Sequence, residues 1–293
     1  SIAASIAYAF FKKSMGIPTI PCRLGSLNAE TSYLLDRFGF QAPQLLQDAR
    51  MKLSEIDMDS PVSITPETTI YDTLQIMQKT NRAYCGVVDK QNHLLGMVTK
   101  SDISVVGLDD TARSIDILAH TSSENIRKTI NGTILYDDAQ AVINGKVSVI
   151  AMTRAERLDH YEVEKRIVIV GADTMAQKKC IQLGAGMLII VWADTVDDAV
   201  IEEAKLHHCP IILSGHGTMN TSRYLYFAPS VERIMKRNPI SFHTNELAED
   251  VGVKMLRNRY RAYPVVDQNE QLVGYVARYH IMDAPKRKLI LVD

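Results

Sequence analysis

The sequence predicts a multidomain protein of mixed α/β and α+β class, and three observations carry that prediction. First, a long segment occurs twice. The stretch from Asp59 to Ile103 aligns without a gap to that from Arg237 to Ile281, and Pro61 and Pro239, Asp89 and Asp267, and Gly96 and Gly274 all stand 178 positions apart. Each copy reads strand, helix, strand, strand, helix, and an internal repeat of this kind governs the fold. Second, strands and helices alternate between the copies, the pattern of a small parallel sheet. Third, a helix, a strand and another helix precede the first copy, an α/β half-unit too small to bury a parallel sheet by itself.

Composition narrows the classes of function. A hydrophobic content of 46% and a charged content of 23% are ordinary for a globular chain. The net charge of −1 supplies no basic field and no acidic tail, so no nucleic-acid partner is expected. Cys22, Cys85, Cys180 and Cys209 are scattered, without CxxC spacing, and read as reduced thiols of a cytoplasmic protein. No apolar run reaches the ~18 residues of a membrane span, so no membrane partner is expected. The opening "SIAASIAYAFFKK" lacks the basic n-region of a signal peptide. With no initiator Met and an abrupt close at Asp293, both ends read as cuts within a longer protein.

The elements follow in order. "SIAASIAYAFFKKSMG" is a helix with Ser1 as N-cap and Gly16 as stop. "IPTIPCRLG" reads as a strand ending at Gly25, and a helix capped at Asn28 or Thr31 stops at Gly39. In the first copy, "VSIT" is a strand and Pro66 and Thr68 set up the helix "TIYDTLQIMQKTN". "YCGVVD" and "HLLGMVT" are strands joined by "KQN", and "KSDISVV" starts the last helix. The second copy repeats these parts as "ISFH", "ELAEDVGVKMLRN", "AYPVVD", "QLVGYVA" and "RYHIMD". Between them, from residue 112 to about 226, come a capped helix turning at Gly132, a strand "KVSVIAM" and a helix "AERLDHYEVE". "RIVIVGADTMAQKKCIQLGAGMLIIV" is a right-handed strand–helix–strand crossover with Asp173 as helix cap, and "VDDAVIEEAKLHHC" and "PIILSG" add one more pair. "KLILVD" closes the chain as a strand.

The repeat resembles the CBS domain, which works in pairs. The resemblance is carried by "CGVVD" and "PVVD", a short polar turn, L-x-G-x-V and, in the first copy, T-x-x-D. The central unit is similar to the DRTGG domain around "VGADT", without its namesake letters. The CBS resemblance implies that Thr99 and Asp102 hold the ribose and phosphate of an adenine nucleotide. A hydroxyl three residues before a carboxylate at a strand-to-helix junction lies beside free helix N–H groups, which favour phosphate, and the carboxylate accepts from ribose hydroxyls. The plain alternative is that Thr99 caps the helix and Asp102 sits in its first turn.

The second copy departs from this pattern, with Ala277 and His280 at the corresponding places, so one of the two nominal sites is expected to be weak or unused. Arg261 and Arg278 there either meet phosphates or belong to a solvated face. Tyr84 and Tyr263, within the edges Arg82–Cys85 and Arg261–Tyr263, either pack on adenine or a dimer mate or serve ordinary packing. Ser63, Cys85, Lys100, Asn238, Ala262 and His280 complete the candidate nucleotide-binding set. His207, His208 and Cys209 are not read as metal ligands, because neighbours in a strand point to opposite faces. Gly184, Gly186, Gly215 and Gly217 lack the position of a dinucleotide loop. No Ser/His/Asp triad or paired-carboxylate motif stands out.

The whole chain resembles one architecture: the family II inorganic pyrophosphatases of bacteria, whose DHH catalytic domain carries a CBS–DRTGG–CBS insert. "SIAASIAYAFF", "IPCRLGSLNAET", "FGFQAPQLL" and "KLILVD" are similar to the sequences flanking that insert. Ser1 matches the last letter of the family's PDxDS and Asp293 the first of its DHN. The resemblance implies a partial DHH domain over 1–50, CBS domains over 51–110 and 229–285, a DRTGG-like domain over 111–228, and a resumed DHH domain over 286–293.

It also implies hydrolysis of diphosphate to two phosphates with Mn²⁺ or Co²⁺ and Mg²⁺. AMP and ADP would inhibit, ATP or diadenosine polyphosphates would activate, and a homodimer would form through the CBS domains. The allosteric shift would pass through linkers at Leu46–Leu53 and Ala284–Lys288, which requires unequal binding to two states. Asp293 would be a metal ligand only in the full-length parent. Two metal ions need several ligands, so this chain alone is expected to hydrolyse nothing. The alternative is a stand-alone nucleotide sensor or scaffold without an enzymatic parent, which the flanking codons would distinguish. A nucleic-acid adaptor finds little support in the near-neutral charge.

Overall fold

The computed structural model describes residues 1–108, 111–150, 155–258, 260–285 and 287–288. The expected closing strand beyond Lys288, with Asp293, lies outside them. The chain divides into two compact units. The first comprises Ser1–Asp57, Asn245–Arg259 and Arg278–Asp293, and the second Met58–Thr244 and Tyr260–Ala277. The second repeat is therefore divided, its strands in one unit and its helices in the other.

In the first unit, Ser1 accepts the Ala4 N–H (3.2 Å) and opens the helix Ile2–Ser14, which Gly16 ends at φ +78°. Asn28 caps Ala29–Arg37 by accepting the Thr31 N–H (2.8 Å). The expected strand at "IPTIPCRLG" shrinks to Cys22–Arg23, paired in parallel with Gln44–Leu45. Pro18 and Pro21 have no N–H to extend such a ladder. Phe10, Phe11, Leu24, Phe38 and Phe40 stand exposed.

The two linkers of this unit join each other. The Lys288 N–H donates to the Ala49 carbonyl (2.8 Å). The Leu53 N–H donates to Glu246 and the Ala248 N–H to Met51, both at 2.9 Å, which ties the seam to the helix Ala248–Leu256. Arg287–Glu249 (2.6 Å) and Lys288–Glu55 (2.9 Å) ion pairs line it.

In the second unit, the first repeat pairs Ser63–Ile64 in parallel with Tyr84–Val88, which runs antiparallel to Leu94–Thr99. Thr69 caps the helix Ile70–Lys79 by accepting the Asp72 N–H (3.0 Å). Alternation then splits the central strand. Cys85 and Val87 point into a core with Ile70, Met77 and Ile103. Tyr84 and Val88 point to the opposite face, against Ala262, Leu272 and Tyr275 of the second repeat.

The second repeat builds its sheet from Phe242–His243, Tyr263–Val266 and Leu272–Val276. Each repeat lends its leading segment to the other. Lys236–Arg237 pairs with Met97 and Gly96, and Asp59 exchanges main-chain bonds with Tyr275 (3.0 and 2.9 Å). Glycine permits both approaches. A Cβ on Gly96 would lie 3.0 Å from the Lys236 carbonyl oxygen, and one on Gly274 2.9 Å from that of Asp59. Asp89 and Asp267 organise matching turns by accepting the amides of Gln91 and His93, and of Asn269 and Gln271. Leu272 N–H to Asn92 (3.0 Å) and Leu94 N–H to Glu270 (3.3 Å) lace the turns together.

The central domain is a five-stranded sheet in which Val147–Ile150, Ile167–Val170, Met187–Ile190 and Ile211–Leu213 run parallel, with Thr133–Tyr136 antiparallel at the edge. Asp173 caps Thr174–Gln182 through the amides of Met175 (2.9 Å) and Ala176 (3.0 Å). The helix expected at "AERLDHYEVE" is a short 3₁₀ segment, Ala155–His160. Helices Thr111–Ala119 and Thr218–Leu225 were not anticipated.

The expected reason for dismissing His207, His208 and Cys209 also needs correcting. They follow the helix Asp198–Leu206 and are not in a strand. His207 meets Glu203 (3.3 Å), His208 meets Asp138 (2.9 Å) and Cys209 is buried. The three thus have separate surroundings.

Candidate functional site

The T-x-x-D motif forms a reciprocal cap where the strand Leu94–Thr99 becomes the helix Lys100–Leu108. The Thr99 hydroxyl donates to Asp102 Oδ2 (2.6 Å), the Thr99 N–H donates to the same oxygen (2.8 Å), and Thr99 Oγ1 accepts the Asp102 N–H (3.2 Å). The capping role is thus realised, and both side chains remain half-exposed. A half-exposed hydroxyl and carboxylate beside the first turn of a helix suit a ribose and its phosphate, since the carboxylate accepts and the helix terminus favours anions. Lys100 is exposed next to them.

The edge before the central strand borders this junction. Tyr84 lies directly across the ladder from Thr99, and the Lys100 N–H donates to the Ala83 carbonyl (2.9 Å), which fixes the edge before the central strand against the junction. The Tyr84 hydroxyl donates to Asp59 Oδ2 (2.8 Å), and Arg82 Nη1 pairs with that same oxygen (2.6 Å). Tyr84 stacks edge-on against Tyr275 (4.8 Å). The Tyr275 hydroxyl accepts the Gly86 N–H (2.5 Å) and donates to the Val62 carbonyl (2.6 Å). Burial pushes that hydroxyl's pKa well up. A Cβ on Gly86 would meet the Tyr275 oxygen at 2.8 Å, so glycine there makes room for the ring.

Other expected residues fall elsewhere. Ser63 is exposed, opposite Gly86 in the ladder. The Cys85 side chain points into the core on the helix side, where burial raises its thiol to about 11. Only its main chain is available to a ligand. The same holds for Ala262 and Tyr263, both buried, the latter packed on Phe242 (5.2 Å) and Tyr260 (5.7 Å). Cys85 thus packs on the helix side of its strand, and Ala262 packs against the boundary between the repeats. Asn238 (φ 48°) and Arg261 are exposed. In the other unit, Arg278 donates to the Met255 (3.1 Å) and Asn258 (3.0 Å) carbonyls, capping the helix Ala248–Leu256. His280 stacks on Tyr279 (4.0 Å). Asp59 and Tyr275 were missed. The opposite charges of Asp59 and Arg237, at matching repeat positions, were the available signal.

Fold and site together define a pair of CBS domains split by a DRTGG domain. The CBS domain model matches residues 53–107 and 231–287, and the DRTGG domain model residues 125–226. A crystal structure of the CBS and DRTGG domains of the regulatory region of Clostridium perfringens pyrophosphatase, complexed with the activator diadenosine tetraphosphate, superposes with a TM-score of 0.69. It is 32% identical and covers 78% of this chain and 100% of that one. The cobalt-dependent inorganic pyrophosphatase of C. perfringens is 36% identical over 296 aligned residues, spanning 100% of this chain and 54% of that protein. The probable manganese-dependent inorganic pyrophosphatase of Thermotoga maritima is 24% identical over the same shares. The chain belongs to the family of CBS–DRTGG regulatory regions of inorganic pyrophosphatases. It spans about half the length of these two curated relatives.

Proposed function

We propose that this chain is the adenine-nucleotide-sensing region of a Mn²⁺- or Co²⁺-dependent inorganic pyrophosphatase, and that its working site is the Thr99–Asp102 junction of the first CBS domain. The observation that carries this reading is the half-exposed hydroxyl–carboxylate pair at a helix start, bordered by Tyr84 and Arg82. The relative with diadenosine tetraphosphate bound supports adenine nucleotides as the ligand class. AMP and ADP are assigned as inhibitors, and ATP or diadenosine polyphosphates as activators, of a cytoplasmic homodimer joined through its CBS domains. We assign residues 1–50 and 286–293 to the DHH catalytic domain, 51–110 and 229–285 to the CBS domains, and 111–228 to the DRTGG domain.

The metals belong to the whole protein. Among the described residues no group of three or more His, Cys, Asp or Glu side chains is placed to hold an ion. Asp293 alone would supply a single ligand, whereas a two-metal site needs several. Pure chain should therefore release no phosphate from pyrophosphate with Mn²⁺ or Co²⁺, and release would overturn that part of the proposal. Calorimetry with AMP tests the rest. Wild type should bind and Asp102→Ala should bind at least about tenfold more weakly, the effect of losing hydrogen bonds to a charged group. No heat from wild type would contradict the reading.

A further inference from the structure

We infer that Asp59 is a positioning residue for the Thr99–Asp102 cleft, one that ties the edge of the cleft to the chain segment entering the first CBS domain. The inference rests on the nucleotide-binding reading above and adds how occupancy is passed on.

The geometry is specific. Asp59 Oδ2 takes both the Arg82 guanidinium (2.6 Å) and the Tyr84 hydroxyl (2.8 Å), so neither partner moves without disturbing the other. The Asp59 side chain is only 13% exposed. A carboxylate so withdrawn from water is held by its partners, and loss of one is costly. Tyr84 stands across from Thr99, and Ala83 is bonded to Lys100. A nucleotide on the hydroxyl–carboxylate pair therefore meets the edge that Asp59 holds. The Asp59 main chain, in turn, is laddered to Tyr275, whose ring packs on Tyr84. One residue before Asp59, at Asp57–Met58, the polypeptide passes from one compact unit to the other.

The second repeat lacks this arrangement. Arg237 stands where Asp59 does and pairs with Glu232 (2.9 Å), and Tyr260 stands where Arg82 does, under Lys236 (4.3 Å). A clamp required only to assemble the fold would be expected in both halves of a repeat. This one accompanies the half with T-x-x-D.

Hydrogen exchange with and without saturating AMP, on this chain, tests the inference, with calorimetry alongside. In wild type, AMP should alter amide exchange over residues 46–58. In Asp59→Asn, AMP should bind about three- to tenfold more weakly, a loss of roughly one hydrogen bond. At saturation the change over 46–58 should then be absent. An unchanged response over 46–58 in Asp59→Asn would overturn the inference. If that variant does not fold, Tyr84→Phe removes one hydroxyl and keeps the ring. Its response over 46–58 should drop by at least about half, and a full response would overturn the inference. Failure of wild type to bind AMP would instead remove the nucleotide reading itself.

Discussion

The two CBS repeats share a frame and differ in nearly everything that faces their common boundary. Both lend a leading segment to the other's sheet, both place glycine under it, and both shape the hairpin with an aspartate. At the boundary, however, the first repeat contributes Tyr84 and Met97, and the second contributes Ala262 and Tyr275 at the matching positions. A large and a small side chain are exchanged, so the two tyrosines pack edge to face without overfilling the space. Beside them, an Asp59–Arg82 ion pair in the first half is replaced by Lys236 over the Tyr260 ring in the second. The polar pair of the strand-to-helix junction, Thr99 and Asp102, becomes Ala277 and His280. What repeats is scaffold, and what diverges is the cleft.

The shared frame is where substitutions should cost most. Gly96→Ala and Gly274→Ala should each destabilise by about 1–3 kcal/mol, since a new methyl meets backbone oxygen that must shift. Urea unfolding midpoints would measure this, and a cost at only one glycine would mean that the exchange is not shared. The next effect falls on the divergent boundary. Tyr275→Phe removes a buried hydroxyl with two main-chain partners and should cost about 1–2 kcal/mol. Met97→Leu at the matching position, which conserves volume, should cost less in the same assay.

The comparison also predicts a gain. Restoring the pair with Ala277→Thr and His280→Asp together should add a second, weaker AMP equivalent by equilibrium dialysis. No added binding would mean that the missing hydroxyl–carboxylate pair is not what separates the two halves.

The smallest effect concerns Cys85, which burial lifts from 9.0 to about 11. The folded state favours the neutral thiol. Its contribution to stability is complete below the unfolded value near 9 and is lost as pH rises from there toward 11. Thiol titration at pH 8 should find Cys85 unreactive in the native protein and reactive in denaturant.

Much of this was legible in the sequence because it is local or repeated. Caps at Ser1, Asn28 and Asp173 and stops at Gly16 and Gly39 depend on a few adjacent residues, and the strand–helix–strand–strand–helix order was reinforced by its second copy. The helix Thr218–Leu225 was missed because its cap is a glycine without a side-chain acceptor. At the candidate site, Thr99 and Asp102 were visible as a motif. The role of Tyr84 was not, because its partners Asp59 and Tyr275 are distant in sequence and meet it only through the exchanged segment. The burial of the Cys85, Ala262 and Tyr263 side chains was hidden for a related reason. Proximity to an edge was legible, but the face each side chain takes was set by strand register.

The proposed sensor is lopsided, with nucleotide assigned to the first repeat and not to the second. Calorimetric stoichiometry of AMP on this chain tests it most directly. One AMP should bind per chain, with Asp102→Ala weakening it by at least about tenfold and His280→Ala leaving it within about twofold. Two equivalent AMP molecules per chain, or binding lost in His280→Ala and kept in Asp102→Ala, would contradict it.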